Sequence, residues 1–222
     1  MLTVPKGCTL HKFRTREEWL QSRSRGIGGT DAATILGCNP YQTELELFSR
    51  LSGIEIAPKK DNASMQRGRG LEDPIRKAFE VDRPEFRVYA PPRGGNWSFE
   101  RVDKPYLRAS LDGLLRRKSD RALGVLEIKT VGRGVDLSEW DGKIPDHYYA
   151  QVMHYCLVLH AKFAILRARM EKFDPITNQS YWETRDYTID CGERAEELKA
   201  LEMAEDAFWN KVQKRIPPSI KF

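Results

Sequence analysis

Hydrophobic and polar residues alternate most clearly near the middle of the chain, in residues 124–130. This segment is mostly apolar and partly β-branched, which is typical of a strand. Because successive side chains point to opposite faces of a strand, Leu126 and Ile128 share one face, and Glu127 and Lys129 share the other. The pattern therefore predicts a central strand whose apolar face packs on a core and whose second face holds an acid beside an amine.

The residues before this strand predict a hairpin that brings a second carboxylate to it. Residues 118–121 are typical of a turn, and Asp112 lies ahead of them in the sequence Ser-Leu-Asp-Gly. Asp112 and Glu127 are then expected near the same end of the hairpin, close to Lys129. Such a group favours ion binding and water activation. Because Glu-x-Lys is a common sequence, this pattern alone favours a solvent-facing strand with an ordinary ion pair.

Helical periodicity in residues 65–80 places a third carboxylate on an apolar face. Glu72 falls on the same stripe as Ile75 and Phe79, so we expect it to point inward. An inward carboxylate requires a partner such as a metal ion or an arginine, because burying an uncompensated charge is costly. Pro74 indicates that the helix either begins near Glu72 or kinks there.

A second helical pattern, in residues 147–160, places an amide on an apolar face. Gln151 shares one stripe with Tyr148 and Tyr155, so it is also expected to face inward. Two interpretations are open. Gln151 either satisfies backbone groups in the core or contributes a polar contact to a functional site.

A glycine-rich turn leads into a short helix and forms a candidate phosphate site. A helix N-terminus presents free backbone N–H groups, and Thr30 is a candidate capping residue with Arg23 and Arg25 nearby. The Gly-Lys-Ser/Thr ending of a Walker loop is absent. The alternative is that Thr30 is only an N-cap and that Gly28 and Gly29 only form a turn.

The remaining elements follow from capping signals, β-branched runs and amphipathic spacing. Capping boxes at residues 15–18 and 43–46 predict two helices, with Trp19 and Leu20 as core contacts of the first. The rest of the prediction comprises strands at 86–90, 97–102, 163–170 and 181–189, an amphipathic helix with a solvated charged face at 193–214, and loops at 54–63 and 131–146.

Composition narrows the class of protein. The 222 residues suit one domain, and the hydrophobic fraction of 40% with 31% charged residues fits a soluble globular chain. The net charge of +5 is compatible with a polyanionic partner, although that signal is weak. The four cysteines are scattered, which is not the pattern of a zinc or iron–sulfur site and favours reduced thiols. We see no membrane-length apolar run and no signal-peptide segment, so we expect an intracellular protein without membrane association.

Taken together, these positions resemble the PD-(D/E)xK nuclease superfamily and, within it, the YqaJ-type viral recombinase family that includes bacteriophage lambda exonuclease. The resemblance extends from Trp19 to about Leu159. No single motif is specific, but the ordered set is: W-x-x-x-R, I-G-G-T-D-A, G-x-x-x-E, S-x-D-G, L-E-I-K and Y-x-A-Q-V. The proline of the superfamily name is absent, since Leu111 precedes Asp112.

The resemblance implies a fold and a catalytic site. The fold is an α/β, restriction-endonuclease-like core with a central mixed β-sheet flanked by α-helices, in a single domain over residues 1–222. Asp112, Glu127 and Glu72 match the metal ligands, Lys129 matches the catalytic lysine, and Gln151 matches the amide of the following helix. The backbone carbonyl of Ile128 is a further candidate ligand. These hard oxygen ligands imply Mg²⁺, with Mn²⁺ as a substitute, and two ions per site.

The resemblance also implies recognition of a DNA end. Arg23 and Thr30 match the arginine and the hydroxyl residue that hold a 5′ phosphate, and the Gly28-Gly29 backbone and Arg25 are candidates for further phosphate contacts. A further basic residue that lambda exonuclease uses soon after the turn has no match in residues 38–42. More general contacts with the DNA backbone are expected from a scattered set of arginines: Arg67, Arg69, Arg116 and Arg117.

The activity implied is Mg²⁺-dependent 5′→3′ digestion of double-stranded DNA ends, which leaves a 3′ single strand for recombination. The implied partners are a single-strand annealing protein and two further copies of the chain in a closed trimeric ring, in the cytoplasm of a bacterial host. One alternative is an endonuclease or a single-strand nuclease of the same superfamily. Its iron–sulfur members are disfavoured by the solitary Cys191. The other alternative is a non-catalytic DNA-binding module, which the intact set of acids and lysine disfavours.

Overall fold

The computed structural model describes residues 2–54 and 63–219, so most of the loop expected at 54–63 lies outside the described residues. The helices are α1 (Arg16–Ser22), α2 (Gly29–Ile35), α3 (Glu44–Leu51), α4 (Ala63–Asp82), α5 (Asp146–Leu159) and α6 (Ala195–Lys214). The strands are β1 (Cys8–Phe13), β2 (Phe86–Tyr89), β3 (Asn96–Arg101), β4 (Arg108–Ala109), β5 (Gly113–Arg117), β6 (Leu123–Val131), β7 (Phe163–Asp174) and β8 (Gln179–Asp190). None of the helices in these ranges is long and apolar enough to span a membrane.

The main sheet is mixed and has five strands in the order β2-β5-β6-β7-β8. β6 and β7 run parallel, whereas the other neighbours are antiparallel. The strand that carries Glu127 and Lys129 is therefore the middle strand, as predicted. A separate antiparallel sheet contains β1, β3 and β4.

Helices cover both faces of the main sheet, and this confirms the predicted fold class. On one face, Leu126 and Ile128 belong to a buried cluster with Ile75 and Phe79 of α4. On the other face, Val125 belongs to a larger cluster that includes residues of α2, α5 and α6. The two-residue alternation of β6 thus separates two cores, and the polar pair lies on the α5 side.

The β5–β6 hairpin has the register that the sequence predicts. Gly113 pairs with Leu126, so Asp112 lies just beyond the last pair and next to Glu127. At the far end, the Arg117 N–H donates to the Ala122 carbonyl (3.1 Å) and closes the expected turn. The hairpin therefore brings the two carboxylates to one end.

Both predicted capping boxes are present, but the prediction of Leu20 as a core contact is wrong. Leu20 is exposed, and the partly buried Trp19 donates its indole N–H to Ser110 Oγ (3.0 Å). Of the two alternatives for the helix that carries Glu72, a start near that residue is wrong: α4 begins at Ala63, and Pro74 lies inside the helix.

A buried arginine ties α4 to the sheet. Arg167 on β7 is only 3% exposed and donates to both carboxylate oxygens of Asp186 on β8 (2.7 and 2.9 Å) and to Asp82 at the end of α4 (2.8 Å). Its guanidinium also lies 4.7 Å from the centre of the Phe79 ring. A buried charge with this many partners fixes where α4 ends.

Helix α6 carries one acid on its buried, apolar stripe, between Leu201 and Phe208, and not on its exposed charged face. Glu205 is fully buried, and its Oε1 lies 2.7 Å from His154 Nδ1 on α5. The other ring nitrogen of His154 donates to the Arg108 carbonyl on β4 (2.8 Å), because a carbonyl only accepts. Burial opposes charge on the ring, but Glu205 outweighs it and raises the pKa of His154. This pair joins α5, α6 and the small sheet.

We predict that Ile75→Ala lowers the free energy of unfolding by about 2–5 kcal/mol, because it leaves a cavity in the cluster beneath α4. Val81→Ala is the matched control, since Val81 lies on the same helix with 79% of its surface exposed. That control should change stability by less than about 0.5 kcal/mol. Urea unfolding of both variants measures the difference, and equal values would contradict the packing of α4 described above.

Candidate active site

Glu127 is a buried acid at the centre of the sheet. Its side chain is 4% exposed. Its Oε1 accepts hydrogen bonds from Lys129 Nζ and Gln151 Nε2, each at 2.7 Å. Its Oε2 is also buried and has no hydrogen-bond partner among the described residues. An unsatisfied carboxylate oxygen is costly to bury, so Oε2 is suited to receive a cation or a water molecule.

Asp112 is held beside Glu127 by the backbone of β6. Its Oδ2 accepts the N–H of Ile128 at 2.7 Å, and its carbonyl accepts a hydrogen bond from Arg76 of α4 at 3.1 Å. The carboxylate is therefore fixed by the strand that carries the other acid. Ile128 takes part through its N–H as well as through its position between Glu127 and Lys129.

Glu72 completes a group of three acids that influence one another. Burial, followed by the charge of Asp112, raises the pKa of Glu72 to about 7. Burial, followed by the charges of Asp112 and Glu72, raises the pKa of Glu127 to about 8. Burial also raises the pKa of Asp112. The site thus concentrates negative charge that the chain itself only partly compensates.

The acids suit a cation by their charge and their oxygen ligands, although their side chains do not yet surround one ion position. Within residues 2–54 and 63–219, no three Asp, Glu, His or Cys side chains are already arranged around one ion position. Lys129 already donates a hydrogen bond to one oxygen of Glu127. The donor set is made entirely of hard oxygens, and the unpaired Oε2 of Glu127 belongs to it. Such a set suits Mg²⁺ or Mn²⁺ rather than a soft metal.

Lys129 is a cation in this arrangement. Burial alone would lower its pKa, but the charges of Glu127 and Asp112 outweigh burial and raise the pKa above its usual value. Its Nζ also lies 4.8 Å from the centre of the Tyr148 ring. As placed, Lys129 donates a hydrogen bond to Glu127 and brings positive charge to the acids.

Gln151 contacts the acid of the site rather than the backbone of the core. It is 6% exposed, and its Nε2 donates to Glu127 Oε1 and to the Tyr155 hydroxyl (2.9 Å). Of the two interpretations that its helical position left open, the structure supports the polar contact with the site.

The candidate phosphate turn presents two side chains together. Arg23 Nη2 donates to Thr30 Oγ1 at 2.9 Å, and its guanidinium lies 5.1 Å from the centre of the Trp19 ring. Thr30 and Arg25 are exposed. An arginine and a hydroxyl placed in this way can grip a terminal phosphate.

The prediction that Thr30 caps α2 is wrong. The N-cap is Gly28, and its N–H is bonded to Asp31 Oδ2 at 2.8 Å. Asp31 in turn accepts a hydrogen bond from Arg50 Nη2 (2.7 Å), and Arg50 Nη1 donates to the Arg23 carbonyl (2.8 Å). Sequence reasoning missed both residues. An acid at the third position of a helix is a capping signal for Asp31, but nothing local indicates Arg50.

Gly29 packs the candidate phosphate turn against the helix that carries Gln151. A Cβ at this position would lie 2.5 Å from Tyr155 Cε1 and 2.9 Å from Gln151 Cγ, so α2 can approach α5 this closely only with glycine here. Because Gln151 also binds Glu127, the turn and the acids form one continuous site. The predicted residues of the turn and the predicted acids of the sheet are therefore brought together through Gln151.

The fold and the site together define the nuclease-like class that the motifs indicated. The structure is similar to an alkaline exonuclease (LHK-Exo) from Laribacter hongkongensis, with a TM-score of 0.60 and 22% identity, covering 90% of this chain and 94% of that one. It is also similar to a phage-related exonuclease from Haemophilus somnus 129PT, with a TM-score of 0.53 and 13% identity, covering 86% and 96%. At these identities the likeness establishes the fold.

The chain belongs to the YqaJ-like viral recombinase domain family, whose model matches residues 18–162. It is 33% identical over 158 residues to the uncharacterized protein YqaJ of Bacillus subtilis (strain 168). That alignment covers 68% of this chain but 46% of the relative, so the chain spans about half the length of the relative it matches. The family predicted from the ordered motifs is thus confirmed.

We predict that the ion-free protein becomes less stable as the pH rises from about 5 to 8. A carboxyl whose pKa is raised to about 8 in the folded state holds its proton more tightly there than in the unfolded chain. The stability that it contributes is present in acid and is lost as the pH rises towards that value. For one such group the slope is at most about 1.4 kcal/mol per pH unit.

The Glu127→Gln variant should lose this part of the pH dependence, whereas Glu196→Gln, at an exposed position of α6, should keep it. Urea unfolding in EDTA at a series of pH values measures the slope. Parallel curves for the wild type and Glu127→Gln would show that the acid is not held as described.

Proposed function

We propose that the protein is a metal-dependent deoxyribonuclease that digests the 5′-terminated strand of double-stranded DNA ends. The observation that carries the proposal is the buried Glu127 carboxylate, which is bonded by Lys129 and Gln151 and lies beside an Asp112 that the Ile128 N–H fixes. The viral recombinase family and the likeness of the fold to exonucleases support the same activity.

We propose that the site holds two Mg²⁺ ions, or Mn²⁺ in their place. The ligands would be the carboxylates of Glu72, Asp112 and Glu127 and the Ile128 carbonyl. Bound ions supply stabilisation of negative charge on the phosphoryl and leaving oxygens. Lys129, whose Nζ is held beside the acids by Glu127, would orient the attacking water or stabilise the phosphoryl oxygens. Gln151 keeps Glu127 in place through the shared Oε1.

The 5′ phosphate of the DNA end would bind at Arg23 and Thr30. Their mutual hydrogen bond holds both side chains in position before the phosphate arrives. The N–H of Gly28 is already bonded to Asp31, so the phosphate contacts in this proposal come chiefly from side chains, with Arg25 and the Gly29 backbone at the margin. Recognition of a terminal phosphate next to the acids selects cleavage near the end of a strand.

The family also suggests the biological setting that we propose. Resection of a 5′ strand leaves a 3′ single strand, which is the substrate of a single-strand annealing protein, and we propose such a protein as the partner. We also propose a closed homotrimeric ring around the DNA and a cytoplasmic location in a bacterial host. One buried cluster contains residues of both sheets, which supports residues 1–222 acting as one nuclease domain.

We predict that Lys129→Ala and Asp112→Asn each reduce Mg²⁺-dependent release of nucleotides from linear duplex DNA by at least about 10³-fold. The first removes the cation of the site, and the second removes a ligand charge while keeping the side chain's shape. Lys6→Ala, at an exposed position near the N-terminus, is the control and should retain full activity. Circular dichroism and melting temperature check that each variant is folded. Substantial activity in the Lys129→Ala protein would overturn the assignment.

We predict that Arg23→Ala removes the preference for 5′-phosphorylated over 5′-hydroxyl ends, since a charged hydrogen bond to phosphate contributes about 10- to 100-fold in binding. The loss should appear mainly in KM for phosphorylated ends, with kcat much less affected. Arg194→Ala removes the same charge at the exposed N-terminus of α6 and serves as the control. An unchanged preference in Arg23→Ala would place the end-binding site elsewhere.

A further inference from the structure

A cleft of about 480 Å³ lies between α4 and the turn that connects β2 to β3. The charged side chains that line it include more cations than acids: Arg69, Arg76, Lys77 and Arg93 against Glu72 and Asp73. Glu72 belongs both to this lining and to the group of catalytic acids. The cleft is therefore continuous with the proposed active site and carries net positive charge.

The outer wall of the cleft is a turn that presents one arginine. The Gly95 N–H donates to the Pro92 carbonyl at 2.8 Å, and Gly94 has a φ of +80°, which favours glycine. Arg93 follows Pro92 and stands at the tip of this turn. Proline and the closing hydrogen bond restrict the backbone of the turn, which places Arg93 at the rim of the cleft.

The cations that line the cleft differ in whether they already form an ion pair with an acid. Arg76 and Lys77 form ion pairs with Asp73, at 2.6 and 3.0 Å. Arg93 is exposed, and in the described part of the chain it has no ion pair or side-chain hydrogen bond. An arginine at the rim of a basic cleft whose guanidinium is not paired with an acid is suited to bind a phosphate.

The position of the cleft indicates which part of a DNA substrate it would meet. The turn with Arg23 and Thr30 packs on α5 through Gly29, whereas α4 covers the opposite face of the sheet. The catalytic acids therefore lie between two basic regions. A strand whose 5′ phosphate is bound on the α5 side and whose scissile phosphate is at the acids must continue away from the turn, and the cleft lies on that side.

We propose that this cleft binds the sugar–phosphate backbone of DNA on the 3′ side of the scissile phosphate, with Arg93 as its principal phosphate contact. The inference rests on the proposed nuclease function and adds a second DNA subsite to it. The contact is to the backbone, so it holds any sequence equally. It would keep the shortened strand in the enzyme after each terminal nucleotide leaves.

The test uses two labelled probes with Ca²⁺ in place of Mg²⁺. One is a 5′-phosphorylated duplex of about 20 base pairs, and the other is a 5′-phosphorylated dinucleotide, which has no phosphate on the 3′ side of its scissile phosphate. Arg93→Ala should raise the Kd for the duplex by about 5-fold or more. It should also reduce the slope of log K against log salt concentration by about 0.9, as expected for one lost phosphate contact. The dinucleotide Kd should not change, and Arg93→Lys should retain most of the duplex affinity.

Arg194→Ala, which removes one exposed charge on α6, is the matched control, and melting temperatures confirm that all variants are folded. A duplex Kd and a salt slope for Arg93→Ala equal to those of the control would overturn the cleft proposal while nucleotide release by the wild type still supports the nuclease. An equal loss for both probes would also overturn it, because the contact would then lie on the 5′ side. A wild type that neither binds the duplex nor releases nucleotides from it with Mg²⁺ would overturn the proposed function itself.

Discussion

The burial of one carboxylate in the middle of a sheet is the constraint on which the rest of the site depends. Glu127 lies where a charge is costly, and the chain compensates only one of its oxygens, through Lys129 and Gln151. The partners of that oxygen are a lysine two residues along the same strand face and an inward-facing amide on α5. The same cost also explains why nearby Asp112 is bonded to the strand backbone, since a second free carboxylate would only add repulsion.

The same strand connects the stability of the fold to its proposed chemistry. Leu126 and Ile128, on the other face of β6, pack in the cluster that holds α4, and α4 carries Glu72 to the acids. Arg167 fixes the far end of that helix. On the α5 side, the absence of a side chain at Gly29 lets the phosphate turn reach Gln151. The positions of acids, amide and arginine are thus set by packing against one central strand.

The features that were predictable from the sequence are those encoded in local patterns. The two-residue alternation of β6, the hairpin and both capping boxes depend on residues close together in the chain, and the structure contains them all. The partners of buried charges were not predictable. Arg167 meets Asp82 from 85 residues away and His154 meets Glu205 from 51 residues away, and no periodicity specifies such pairs. At α2, the N-cap is Gly28 with Asp31 bonded to its N–H, and the hydroxyl of Thr30, expected as the cap, instead accepts a hydrogen bond from Arg23.

Digestion of duplex DNA labelled separately at its 5′ and 3′ ends, with and without a 5′ phosphate and in the presence of Mg²⁺, tests the account most directly. If acids, lysine and phosphate turn act as one site, the 5′ label is released first, release is faster from phosphorylated ends, and a closed circular duplex stays intact. Release of the 3′ label first, or cutting of the circle at a comparable rate, would contradict the joint action of Glu127, Lys129 and Arg23 that the structure supports.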